Sequence, residues 1–328
     1  MATSSNELAR LAGPKSKEIV AATVKRWEEK MRERLRLEMA LKLTDDSGWR
    51  REVQRVKVTL SDGLPRALVT YERDLKENFE EIAGLFRPQL QALMESSSEL
   101  QELLGELSQR DGKWSARRGA EQAGIEAFRK LVQDLLNLAE QAKLTEELKK
   151  INEDVLGAYF PLGKNSQNIF VGTPVPFIEI YWTVIGAVAR TIGVDIEGLT
   201  IVVLAHELAH AYSHLGADTD GNRWEEHAFC RSDVSIKEGI AQYYTEKVMH
   251  WFEERHSEKP YHAYTKLLEI QGAPYRIHEL WSKDFSPEIV RAAIIECRNN
   301  RVADKDGFTE RMESAKRRLK RQRRPSSA

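Results

Sequence analysis

The segment LTIVVLAHELAHAYSHLG, residues 199–216, constrains the fold more than any other stretch of the chain. Its apolar first half reads as a buried helical stem, and Gly216 stands where a helix C-terminus favours glycine. On such a helix His206 and His210, four residues apart, lie one turn above the other on one face. Two imidazoles and a carboxylate at the end of an apolar stem carry a desolvation cost unless something compensates them. A metal ion held by both imidazoles would do so. The plain alternative is a polar stripe on a core helix.

Glu207, next to the first histidine, falls beside such an ion, where a carboxylate can take a proton from bound water. H-E-x-x-H marks zinc hydrolases for that reason. Catalytic zinc takes three protein ligands and keeps a fourth position for water, so a third ligand is required. His214 is eight residues from His206, about 12 Å along a helix axis, and is too far to share the ion. A histidine ten positions after His206 is ruled out because that position is Gly216. The better candidate is Glu238 in SIKEGIAQYYTEKV, which opens a second amphipathic helix and can approach from the open side. Gly239 and Ala241 beside it suit two helices packed closely around an ion.

The rest of the chain is mainly helical in pattern. Charged residues alternate with Leu, Ile, Val and Phe at three- and four-residue spacing over about 15–43 and 64–107. Breaks fall at TDDSG (44–48), SDGLP (61–65) and RDGKW (110–114). The expectation is an N-terminal helical bundle or coiled-coil-like domain over residues 1–145, whose long helices could also carry self-association or a protein partner. The texture changes near Leu156, where GAYFPLGKNSQNIFVGTPVPF brings Gly, Pro, Asn and aromatics, with QNIFVG as the strand candidate. Helices are expected over about 177–191, 196–215, 235–252, 261–270 and 287–297, placing a second domain at 146–304. A basic tail, 305–328, has seven basic residues among the nine from Lys316 to Arg324 and reads as a solvated helix end.

Charged residues make up 31% of the 328 yet sum to a net charge of −1, so no global field favours nucleic acid or a membrane surface; only the tail could contact a polyanion. The most apolar region, 177–205, is interrupted by Glu179, Arg190, Asp195 and Glu197 and is too polar to span a bilayer. Cys230 and Cys297 are too few for a disulfide framework, and the first twenty residues lack the apolar core of a secretory signal. A cytoplasmic location is expected.

With HELAH at 206–210 and EGIAQYY at 238–244, residues 150–300 resemble the gluzincin class of zinc metallopeptidases. The resemblance implies a mainly α protein whose second domain is α+β and zincin-like, with a catalytic helix, a glutamate helix and a small sheet above them. It implies Zn2+ held by His206, His210 and Glu238, and Glu207 as general base. Many members place an acidic residue one turn after the third ligand, where this chain has Gln242; Asp218, Asp220 or Asp233 could support the histidines instead.

An oxyanion formed during hydrolysis needs a donor, for which Tyr243, Tyr244, His227, Tyr275 and His278 are eligible and Tyr244 and His278 are preferred. An edge strand would align an extended peptide, making a peptide or protein the expected substrate. The competing function is a non-enzymatic helical interaction protein whose metal site is structural.

Overall fold

The computed structural model describes residues 12–43, 56–63, 156–161, 176–300 and 304–322. Contacts divide the chain into two compact units, one drawn from Met1–Pro65 and Leu148–Ala328, the other from Arg66–Glu147. All described residues belong to the first. The helices expected between 64 and 145 and the strand expected at 167–172 lie outside the described residues.

The described part is mainly helical with a small mixed sheet. In chain order it runs α1 (Ser16–Met39), β1 (Lys57–Ser61), β2 (Gly157–Phe160), β3 (Phe177–Tyr181), α2 (Trp182–Thr191), α3 (Ile196–Leu215) and α4 (Glu226–Arg231). It continues with α5 (Val234–Arg255), α6 (Lys259–Ile270), α7 (Ala273–Arg276), α8 (His278–Asp284), α9 (Pro287–Asn300) and α10 (Lys305–Gln322).

α3 is the axis of the fold. Asp195 caps its N-terminus by accepting from Gly198 N at 3.0 Å, and every residue from Gly198 to His214 is buried. A helix apolar on all sides can be satisfied only by neighbours on all sides. α1, α2, α5, α6 and the sheet supply them. α1 is tied to α3 by polar contacts as well: Tyr212 Oη donates to Arg32 O at 2.8 Å, and Lys42 pairs with Ala217 just past the end of α3.

β3 is the central strand, parallel to β1 and antiparallel to β2, so among the described residues β2 is an edge. The sequence reading placed Phe177–Tyr181 at the start of a helix, and the structure corrects this: these five residues are β3. FIEIY is rich in β-branched and aromatic residues and alternates, with Ile178 and Ile180 fully buried. Pairing on both sides satisfies its backbone, and the helix starts only at Trp182.

α10 buries Phe308, Met312 and Ala315 and leaves Arg317, Arg318, Lys320 and Arg321 exposed, so the described part of the basic tail is a packed helix with a solvated charged face. None of the described helices is long and apolar enough to cross a membrane.

Candidate metal centre

His206 and His210 project from consecutive turns of α3 toward Glu238 on α5. His206 Nε2 stands 3.1 Å from Glu238 Oε2, His210 Nε2 3.1 Å from His206 Nε2, and His210 Nε2 3.3 Å from Glu238 Oε2. Ligand atoms about 2.0–2.1 Å from a tetrahedral zinc ion lie about 3.3 Å apart, so these atoms have the spacing of one face of such a tetrahedron. All three residues are buried. The donor set, two imidazoles and a carboxylate with no fourth protein ligand in the group among the described residues, fits zinc with an open position.

Glu207 is 1% exposed and lies against β2. A Cβ at Gly157 would stand 2.8 Å from Glu207 Cγ, 2.9 Å from its Oε1 and 2.9 Å from Val203 Cγ1. Gly157 is therefore glycine because the Glu207 side chain occupies the space. The reading of the sequence noticed GAYF as a change of texture but attached no role to this glycine; nothing local marks it, because its neighbour is fifty residues away in the chain.

Gly239 serves a purpose other than the one expected. A Cβ there would fall against Ile277 and within 2.5 Å of Trp281 Cη2. The glycine lets the α7–α8 segment, rather than α3, approach α5 beside Glu238. One result is that the Tyr275 ring lies 6.1 Å from the His206 ring, tilted by 33°.

The other expected site residues are distributed as follows. His278 is fully buried, its Nδ1 2.7 Å from Tyr275 O and its Nε2 2.7 Å from Tyr264 Oη. A carbonyl can only accept, so Nδ1 carries the proton and Nε2 accepts from Tyr264. Burial draws the His278 pKa below its ordinary value, while Glu246 acts in the opposite sense. Its place is behind Tyr275, holding that residue's backbone.

Tyr244 is six residues past Glu238, about 120° round the helix and 9 Å along it. Its hydroxyl donates to Pro287 O at 3.1 Å, and Tyr243 donates to Phe285 O at 2.8 Å. Burial raises the pKa of both phenols. Neither hydroxyl is joined by these bonds to the histidine cluster. His227 is exposed in the first turn of α4.

Of the suggested supports for the histidines, Asp233 caps α5 by accepting from Ser235 N, Asp218 accepts from Asp220 N and Asn222 N in a turn, and Asp220 is exposed. Gln242, 2% exposed, donates from Nε2 to Gln271 Oε1 at 2.9 Å. His214 stacks on Phe229 at 4.4 Å, and its Nδ1 is 2.9 Å from Tyr159 Oη on β2. Burial, reinforced by the nearby Arg298 cation, lowers its pKa to about 4.

The contacts at the end of α3 were missed altogether by sequence reasoning. Ser213 Oγ donates to His210 O at 2.9 Å, and the Arg298 guanidinium from α9 reaches the carbonyls of Tyr212, Ser213 and Gly216. Comparison with protein families, curated proteins and solved structures finds no match to this chain.

Proposed function

We propose that the chain is a zinc-dependent hydrolase of peptide bonds, a metallopeptidase of gluzincin type. The observation that carries this reading is the convergence of His206 Nε2, His210 Nε2 and Glu238 Oε2 to 3.1–3.3 Å, with Glu207 following His206 on the same helix. His206, His210 and Glu238 would hold the ion. Zinc bound there supplies acidification of a water and polarisation of a carbonyl oxygen.

The chain's own residues supply the remainder. The Glu207 carboxylate takes the proton from the attacking water and returns it to the departing amine nitrogen. Burial against Gly157 limits the rotamers of Glu207 and keeps bulk water from its carboxylate. Tyr275, beside His206 and held through its carbonyl by His278, is the residue assigned to the developing oxyanion in place of Tyr244 or His278. Among the described residues β2 is hydrogen-bonded to β3 alone, and its other edge would receive an extended peptide as an added strand next to Glu207. A peptide or protein is accordingly the substrate class.

The alternative of a purely structural metal is less well supported, because structural zinc sites close with four protein ligands and the group among the described residues has three.

The test is metal analysis combined with one isosteric variant. Purified protein is expected to hold about one zinc per chain, and Glu207→Gln should retain that zinc while losing about 10²–10⁴-fold in peptide hydrolysis. Undiminished hydrolysis by Glu207→Gln, or a chain that binds no zinc, refutes the reading.

A further inference from the structure

We infer that Arg298, carried on α9, is a positioning residue for the metal ligands: its guanidinium clamps the last turn of α3 and so holds His210 in register with His206 and Glu238. The inference rests on the zinc-hydrolase reading above and deepens it.

The last four carbonyls of an α-helix have no partner within the helix, and when the helix end is buried they must find donors elsewhere. Tyr212, Ser213 and Gly216 are all buried, so water cannot serve them. Gly216 N–H donates back to Tyr212 O at 2.9 Å, and Ser213 Oγ serves the His210 carbonyl itself. Arg298 serves the others: Nη2 donates to Ser213 O at 2.5 Å and Tyr212 O at 3.3 Å, and Nη1 to Gly216 O at 2.7 Å and, more weakly, Asn222 O at 3.4 Å.

The side chain is 5% exposed, and its acceptors among the described residues are all backbone carbonyls. A buried arginine is ordinarily matched by a carboxylate. Here the negative end of the α3 macrodipole takes that place. Burial lowers the Arg298 pKa to about 10, with Asp218 acting against the shift, so the cation persists at neutral pH.

One guanidinium reaches three carbonyls of the same helix end at once, whereas an ammonium presents a single point of charge. Tyr212 and Ser213 follow His210 by two and three residues, so fixing their carbonyls fixes the turn from which His210 projects. If that turn frayed, His210 Nε2 would drift from partners now 3.1 and 3.3 Å away.

The test compares the full chain with Arg298→Met, Arg298→Lys and Ser213→Ala, using zinc affinity by chelator competition and the visible absorption of the cobalt-substituted protein. Arg298→Met keeps the aliphatic stem and is expected to weaken zinc binding about tenfold and to alter the cobalt spectrum. Arg298→Lys should recover part of both. Ser213→Ala removes one hydroxyl from the same network and should weaken binding about fivefold, the worth of one hydrogen bond.

An Arg298→Met protein that melts earlier yet keeps zinc affinity within about twofold and the parent cobalt spectrum would show a cap with no bearing on the ligands and overturn the inference. If Arg298→Met does not fold, Arg298→Lys decides alone: parent affinity and spectrum overturn the inference, and weakened binding with an altered spectrum supports it. A parent chain that binds no zinc defeats the hydrolase reading and this inference together. Tight zinc in the parent with unchanged variants defeats the inference only.

Discussion

Gly157 and Glu207 form a contact in which one residue's missing side chain is the other's binding space. Gly157→Ala forces a Cβ to within 2.8 Å of Glu207 Cγ, and either the carboxylate or β2 must shift. A displacement of about 1 Å at a catalytic group can lower turnover about 10²-fold. The residues proposed to hold zinc are not touched, so under the hydrolase proposal kcat should fall while metal stoichiometry stays at the parent value. His214 makes a separate prediction about pH. Its folded pKa of about 4 lies below the ordinary 6.5. Between those values the unfolded chain binds a proton that the folded chain does not, so stability falls as pH drops from about 6.5 to about 4 and is unaffected by this group above that window. The loss amounts to a few kcal/mol. His214→Asn keeps a partner for Tyr159 but does not titrate. With zinc removed by chelation, its stability should be flatter than the parent's over pH 4–6.5 in denaturant titrations.

Among the elements, α3 and α5 matter most because the site exists only where they meet. The ion would cross-link two helices that approach from separate parts of the chain. Zinc should therefore raise the melting temperature, by an amount equivalent to about 2.7 kcal/mol at a hundredfold excess over the dissociation constant. His206→Ala should abolish the increment, which calorimetry with and without zinc checks directly. The packing of α5 against α7 and α8 depends on Gly239. Gly239→Ala drives a methyl into Ile277 and Trp281 and is expected to cost about 1–3 kcal/mol, read as a lower denaturation midpoint. The limits of α3, Ile196–Leu215, were legible in advance because periodicity and the terminal glycine are both local signals. Those of α5, Val234–Arg255, were nearly so. β3 was misread for an equally local reason: a short apolar run fits both periods, and only strand partners distant in sequence decide between them.

For the whole molecule, the meeting of the segment after α1 and of α9 at the α3 terminus could not be read from any motif. α1 lies along α3, and the segment after it pairs at Lys42 with Ala217. α9 contributes Arg298 to the same helix end from more than eighty residues downstream. The sequence by itself determined which residues could serve as ligands and that two of them share a helix face, because 3.6 residues per turn converts a spacing of four into adjacency. It also singled out Glu238, which the fold brings to within 3.1 Å of His206. Only the tertiary structure decided that β2 lays Gly157 over Glu207, that the Tyr275 ring lies 6.1 Å from that of His206, and that an arginine closes the helix. Those contacts join residues far apart along the chain. Their formation depends on how whole elements pack, a balance of buried area and satisfied backbone groups that no short stretch of sequence contains.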